Sequence, residues 1–207
     1  SCSGPFHIET PLLESVALSQ TAGTKVYMKL ENAQPSGSFK IRGIGYFCQQ
    51  MAKKGCRHLV CSSGGNAGLA AAYTARELRM PVTIIVPHGT TESTIKRLEQ
   101  YGANVEIFGK RQHADPALYK ANCGICDLHS IVKEMKGSLG TRPGAVVLSV
   151  GGGGLLAGVV SGLHEVGWSD VPIIAVETRG AESFNAAIQA GQLVTLPDIT
   201  RYVLVWG

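Results

Sequence analysis

Between residues 58 and 108 this chain repeats one pattern, a short apolar run followed by a turn and a helical stretch. His58-Leu59-Val60-Cys61 reads as a strand, 62–68 as a glycine turn, and an alanine-rich helix follows to residue 79 with Pro81 beyond it. Residues 82–86 repeat the strand, 90–101 the helix, stopped by Gly102, and 104–108 the strand again. Strands and helices alternating at this spacing build a parallel sheet with helices packed on it. The expected fold class is therefore α/β.

The same reading extends outward. Residues 26–30 predict a short strand, and 39–54 a helix with Phe39, Gly43, Phe47 and Met51 along one stripe and Gly55 ending it. Residues 111–127 have no period. Order returns with a helix over 128–139, strands over 144–150 and 172–177, and helices over 155–166 and 183–190. The apolar tail 201–207 reads as an unfinished strand.

Composition excludes several classes. Apolar residues make up 44% and charged residues 16%, so the chain is globular and not disordered. Net charge is only +4 with no basic run, so nucleic acid is not an expected partner. No basic and apolar leader pattern opens the chain, and its six cysteines lack a secreted disulfide spacing, so a cytoplasmic location is expected. Residues 145–163 carry no charge over 19 positions and contain Gly154-x-x-x-Gly158. Four consecutive glycines in that stretch would cost about 1 kcal/mol each inside a helix. We read it as strand, loop and buried helix, and expect no membrane span.

Two loops and one lysine carry the chemistry. The turn Ser62-Ser63-Gly64-Gly65-Asn66-Ala67-Gly68 lies between a strand and a helix, where free backbone N–H groups and the helix dipole favour an anion. A substrate carboxylate or a phenolic oxygen suits it, and so does a plain glycine turn with no ligand. Gly151, Gly152, Gly153 and Gly154 form a second such turn, suited to a phosphate. That loop has a rival reading. Gly152-x-Gly154-x-x-Ala157 followed by Glu177 matches a dinucleotide fingerprint with an acid for the ribose. Lys40 follows Phe39 at a helix start, where the dipole disfavours a protonated amine and favours a nucleophile. An ordinary exposed lysine at a helix start fits the same position.

Together, Ser36-Gly-Ser-Phe-Lys-Ile-Arg-Gly43, Cys61-Ser-Ser-Gly-Gly-Asn-Ala-Gly68 and Val150-Gly-Gly-Gly-Gly-Leu-Leu-Ala-Gly158 resemble the serine/threonine dehydratases. These are fold type II, tryptophan-synthase-β-like, pyridoxal phosphate enzymes. The resemblance implies two lobes, each a parallel sheet with flanking helices: a small lobe over 33–128 and a large lobe from 1–32 plus 129–207. It implies pyridoxal 5'-phosphate in the cleft between them. Lys40 would bind the cofactor covalently and shuttle the Cα proton, and Phe39 would pack on its ring. Ser63, Gly64, Asn66 and Ala67 would hold the substrate carboxylate, with Asn66 also reaching the ring oxygen. Gly151, Gly152, Gly153 and Gly154 would hold the phosphate. The implied activity is an L-serine and L-threonine ammonia-lyase, a homodimer acting on a small amino acid without a metal.

The chain departs from that pattern in two places. It stops before the last elements of the large lobe, including the strand end that faces the pyridine nitrogen, and the stretch 110–128 is shorter than the family's. Alternatives therefore stand beside the dehydratase: a non-catalytic truncated fragment, a serine racemase, a β-replacing synthase, or the nucleotide binder. Cys123-x-x-Cys126 with His113 and His129 can be drawn as a zinc site, but the spacing is irregular and two incidental cysteines are the simpler reading.

Overall fold

A computed structural model of the chain describes residues 4–109 and 127–196. Chain contacts divide it into two compact units, Ser1–Asp127 and Leu128–Gly207.

The first unit opens with β1 (Leu12–Glu14), α1 (Val16–Ala22) and β2 (Tyr27–Lys29). The two strands pair antiparallel, Leu12 opposite Lys29 and Glu14 opposite Tyr27. Of these, only β2 is expected from the sequence. Ser15 ends β1 and caps α1, accepting from Leu18 N, and Ser19 accepts from Val26 N at 2.8 Å. A single two-turn helix thus reverses the chain, and antiparallel strands need no longer crossover.

After a 3-10 turn at Glu31–Ala33 come α2 (Lys40–Lys53), β3 (Leu59–Cys61), α3 (Asn66–Glu77), β4 (Val82–Val86), α4 (Glu92–Gln100) and β5 (Asn104–Ile107). The three strands form the expected parallel sheet in the order β3-β4-β5. The register sets Cys61 beside Ile84 and Ile84 beside Val105. Central β4 buries Val82, Thr83, Ile84 and Val86, as a parallel strand covered on both faces does. Its partner α3 buries Ala70, Ala71, Ala72 and Ala75, and such small side chains let α2 approach closely. The core gathers Cys48, Leu59, Leu69, Ile84, Val86 and Leu98.

The buried side of α2 differs from the expected stripe. Ile41, Arg42, Gly43, Gly45, Cys48 and Gln49 are buried, while Phe47 and Met51 are only half-buried at the edge of the core. The reason is a second covering layer. Residues near the N-terminus pack on α2 next to α3: a Cβ on Gly45 would stand 3.4 Å from Phe6 and 3.6 Å from Thr74, and Gln49 Nε2 donates to Gly4 O.

The second unit holds α5 (Ser130–Ser138), β6 (Val146–Ser149), α6 (Gly154–Glu165), β7 (Ile173–Val176) and α7 (Ser183–Ala190). β6 and β7 are parallel, Val146 opposite Ile173 and Ser149 opposite Val176. Val132, Leu148, Val150, Val159, Leu163, Trp168 and Val171 form its core. Val147, Ile174 and Val176 stay exposed. The small-residue spacing on α6 has a packing role. A Cβ on Gly158 would lie 2.2 Å from Leu128 Cβ, and one on Gly162 2.8 Å from Val132. These glycines seat α5 against α6. Among the described residues no helix is long and apolar enough to cross a membrane.

The expected tail strand at 201–207 and the zinc arrangement of His113, Cys123 and Cys126 lie outside the described residues. Among the described residues no three His, Cys, Asp or Glu side chains gather to hold a metal.

Candidate active site

Lys40 is the first residue of α2. It is half-buried, and burial pushes its pKa below the ordinary lysine value. Its Nζ lies 5.2 Å from the Phe39 ring centroid. No acidic side chain forms an ion pair with it among the described residues. An amine that is partly desolvated and without a counter-charge gives up its proton more readily, which a lysine nucleophile requires.

The approach to Lys40 is a fixed turn. Gly37 N donates to Gln34 O at 2.7 Å, and Gly37 adopts φ +80°. Ser36 and Ser38 are buried there, and their hydroxyl oxygens have no hydrogen-bond partner among the described residues. A buried hydroxyl left unpaired costs about 1–3 kcal/mol. Both hydroxyls lie within four residues of Lys40 in the turn that leads into α2.

The first glycine loop is held by contact with its own helix. A Cβ on Gly68 would stand 1.8 Å from the Ser63 carbonyl oxygen, and one on Gly64 would stand 3.1 Å from Val86 Cγ1. The Ser63 hydroxyl accepts from Gly65 N at 3.3 Å. Asn66 and Ala67 are the first two residues of α3, whose N-cap Gly65 offers no side chain to the free amides. In α1 and α4, by contrast, Ser15 and Thr91 cap those amides themselves.

The second loop is open. A Cβ on Gly151, Gly152 or Gly153 would meet nothing within 4 Å, and on Gly154 only the tip of Leu128. Gly153 adopts φ +78° and is the N-cap of α6, again without a side-chain cap. Packing therefore does not explain Gly151 and Gly152, which are exposed and free of positive φ. A bare strand-to-helix turn with free amides is an anion cradle.

Glu177 has a structural role that the nucleotide reading does not include. Its two oxygens accept from Phe184 N at 2.9 Å and Asn185 N at 2.8 Å, closing the start of α7. Both are engaged in a helix cap, a local role that accounts for the carboxylate without a ribose.

One feature that sequence reasoning missed is an ion pair between buried Arg42 and partly buried Glu31. Arg42 Nε donates to Glu31 Oε2 at 2.8 Å and Nη2 to Oε1 at 2.7 Å. The sequence carries little signal for it, since α2 is also polar at Lys40, Gln50 and Lys53 and the two partners lie 11 positions apart.

Comparison with known proteins gives a consistent picture. The mouse serine dehydratase-like protein is 62% identical over 213 residues, covering 95% of this chain and 64% of its own length. Human L-serine dehydratase/L-threonine deaminase is 56% identical, covering 98% of this chain and 67% of its own. The solved L-serine ammonia-lyase of the fungus Rhizomucor miehei superposes with a TM-score of 0.86 at 37% identity, over 94% of this chain and 67% of that one. This chain thus spans about 64% of the serine dehydratase-like relative. A family model described as pyridoxal-phosphate dependent enzyme matches residues 5–203, across both glycine loops and Lys40, and the chain belongs to that family.

Proposed function

We propose that this chain carries the pyridoxal phosphate chemistry of an L-serine and L-threonine ammonia-lyase, giving pyruvate or 2-oxobutyrate with ammonia. The half-buried, unpaired amine of Lys40 is the observation that carries the reading. The names of the relatives, serine dehydratase and threonine deaminase, supply the substrate class.

The residues present fit the cofactor. An amine of lowered pKa matches an aldehyde, and the open glycine turn at 151–154 leaves room for a phosphate where a side chain would stand. When bound, pyridoxal phosphate supplies an electron sink for the substrate Cα. Lys40 Nζ would hold the cofactor and would serve as the base for the Cα proton. Phe39 would pack on its ring. Ser63, Gly64, Asn66 and Ala67 would bind and orient the substrate carboxylate, and Asn66 would also reach the ring oxygen. Gly151, Gly152, Gly153 and Gly154 would offer backbone N–H groups to the phosphate.

The purified chain with pyridoxal phosphate should show a visible absorption band that Lys40→Ala abolishes. It should also release pyruvate from serine, with turnover falling by about 10²–10⁴-fold in the variant. A chain that stays colourless, or binds cofactor and releases no product, overturns the reading.

The lobe division at 33–128 and 1–32 plus 129–207 and a homodimer belong to the same proposal and rest on the resemblance, and a cytoplasmic location rests on the cysteine spacing. Limited proteolysis, sedimentation and cell fractionation test them in turn.

A further inference from the structure

We propose that the Arg42–Glu31 pair is the positioning device for Lys40, gripping the first turn of α2 from the side away from the lysine. This rests on the reading of Lys40 given above. Lys40 and Arg42 are two residues apart, about 200° around a helix, so they leave the same turn in nearly opposite directions. The Arg42 side chain is fully buried and holds Glu31 through two parallel bonds.

Glu31 is itself fixed. Its Oε1 accepts from Thr10 Oγ1 at 2.6 Å and its Oε2 from Gln34 Nε2 at 3.2 Å. Gln34 accepts from Ile8 N and donates to Ile8 O, both at 3.0 Å. Burial would raise the Glu31 carboxyl, but the hydrogen bonds from Arg42 and Thr10 outweigh it and hold the group below the ordinary carboxylate range. The carboxylate therefore stays charged as an anchor. One network ties residues 8–10, the 3-10 turn, the turn at 34–37 and the first turn of α2.

Ile41 and Gly43 pack that turn inward, but its first residues carry no cap. Phe39 provides no side-chain cap, and the opening backbone bonds are Ile41 N to Ser38 O at 3.5 Å and Arg42 N to Phe39 O at 3.1 Å. Stability alone does not call for a charged pair here. Apolar residues of matching volume stabilise such a site as well or better. A two-point guanidinium–carboxylate fork adds what apolar packing lacks, a set direction.

The test separates holding the fold from placing the amine. Wild type, Glu31→Leu/Arg42→Met and Glu31→Gln full-length chains are compared by melting temperature and by the rate of pyridoxal phosphate capture. Borohydride reduction and peptide mass spectrometry locate the label on Lys40. We expect the double variant to melt near wild type while capture at Lys40 slows by about 10²-fold, the scale of an ångström misplacement. Glu31→Gln keeps the shape, and its capture should slow by about tenfold, a reading that decides the matter if the double variant does not fold. Wild-type capture in a folded variant overturns the proposal.

A second readout needs no cofactor. Acetic anhydride labels Lys40 and the exposed Lys25 in the same digest across a pH series. With the pair removed, the Lys40 profile should move by about one unit toward that of Lys25. An unchanged profile overturns the positioning role. Wild type that never captures cofactor at Lys40 overturns the proposed function instead, and the acetylation profile still decides the positioning.

Discussion

The two glycine loops sit at the same place in a strand–turn–helix unit, yet their glycines exist for opposite reasons. At 62–68 they are pressed against protein: Gly68 against the Ser63 carbonyl, Gly64 against Val86. At 151–153 they face open space. Glycine in the first loop lets the chain fit itself. Glycine in the second leaves room for something else. A glycine-rich motif read from sequence does not separate these cases, and the surroundings of an added methyl do.

Substitution breaks or sharpens this contrast. The largest effect belongs to Gly68→Ala, whose Cβ would stand 1.8 Å from a backbone oxygen that has no flexible tip to move aside. It should destabilise by about 4 kcal/mol or more. A urea midpoint equal to wild type would remove the packed half of the comparison.

Next come the glycines of α6, where Gly158→Ala and Gly162→Ala press on Leu128 and Val132. Each should cost about 1–3 kcal/mol of overpacking, read by thermal melting of the cofactor-free chain. They show that the second unit has packed glycines too, one turn and two turns beyond its open loop.

Gly152→Ala should move stability the other way. With nothing within 4 Å and no positive φ, it should leave the fold unchanged or stabilise it by up to about 0.5–1 kcal/mol through the unfolded chain. Pyridoxal phosphate retention should nevertheless fall by about tenfold, roughly 1.4 kcal/mol, in an absorbance titration. A variant that keeps both full stability and full retention removes the open half.

The smallest effect tests Lys40, which is neither fully packed nor fully open. Its folded pKa lies below the ordinary lysine value, so between those two values the unfolded chain binds the proton that the folded chain has lost. Stability of the wild type should therefore rise with pH through that window. Lys40→Met removes this rise. Urea denaturation of both chains across the alkaline range should show their stability difference moving in favour of wild type as pH increases. A constant difference argues against the buried amine.

Most of the frame was legible from residues alone. The strand at 82–86 and the helix at 183–190 were read to the residue, because apolar runs and glycine stops act locally. The Ser15–Gly23 helix was missed although both of its caps are written in the chain. β1 was missed for a different reason. Its three residues are mostly exposed and gain their conformation from pairing with β2, which no local pattern records. In the site, Lys40 and the two loops stood out by motif. The Arg42–Glu31 pair did not, because its partners are separated by 11 positions and only the fold brings them together. The capping role of Glu177 was not legible, since a carboxylate after a strand serves a helix cap and a ribose equally well until its partners are seen.

The contact between Gly68 and the Ser63 carbonyl also decides what is free to vary in a protein of this build. A loop clamped by its own helix resists reshaping. Change there is confined to side chains whose directions the backbone has already settled, as at positions 63, 66 and 67. Variation in this loop is single-residue exchange on an unchanging frame, and insertions or deletions within it should cost stability.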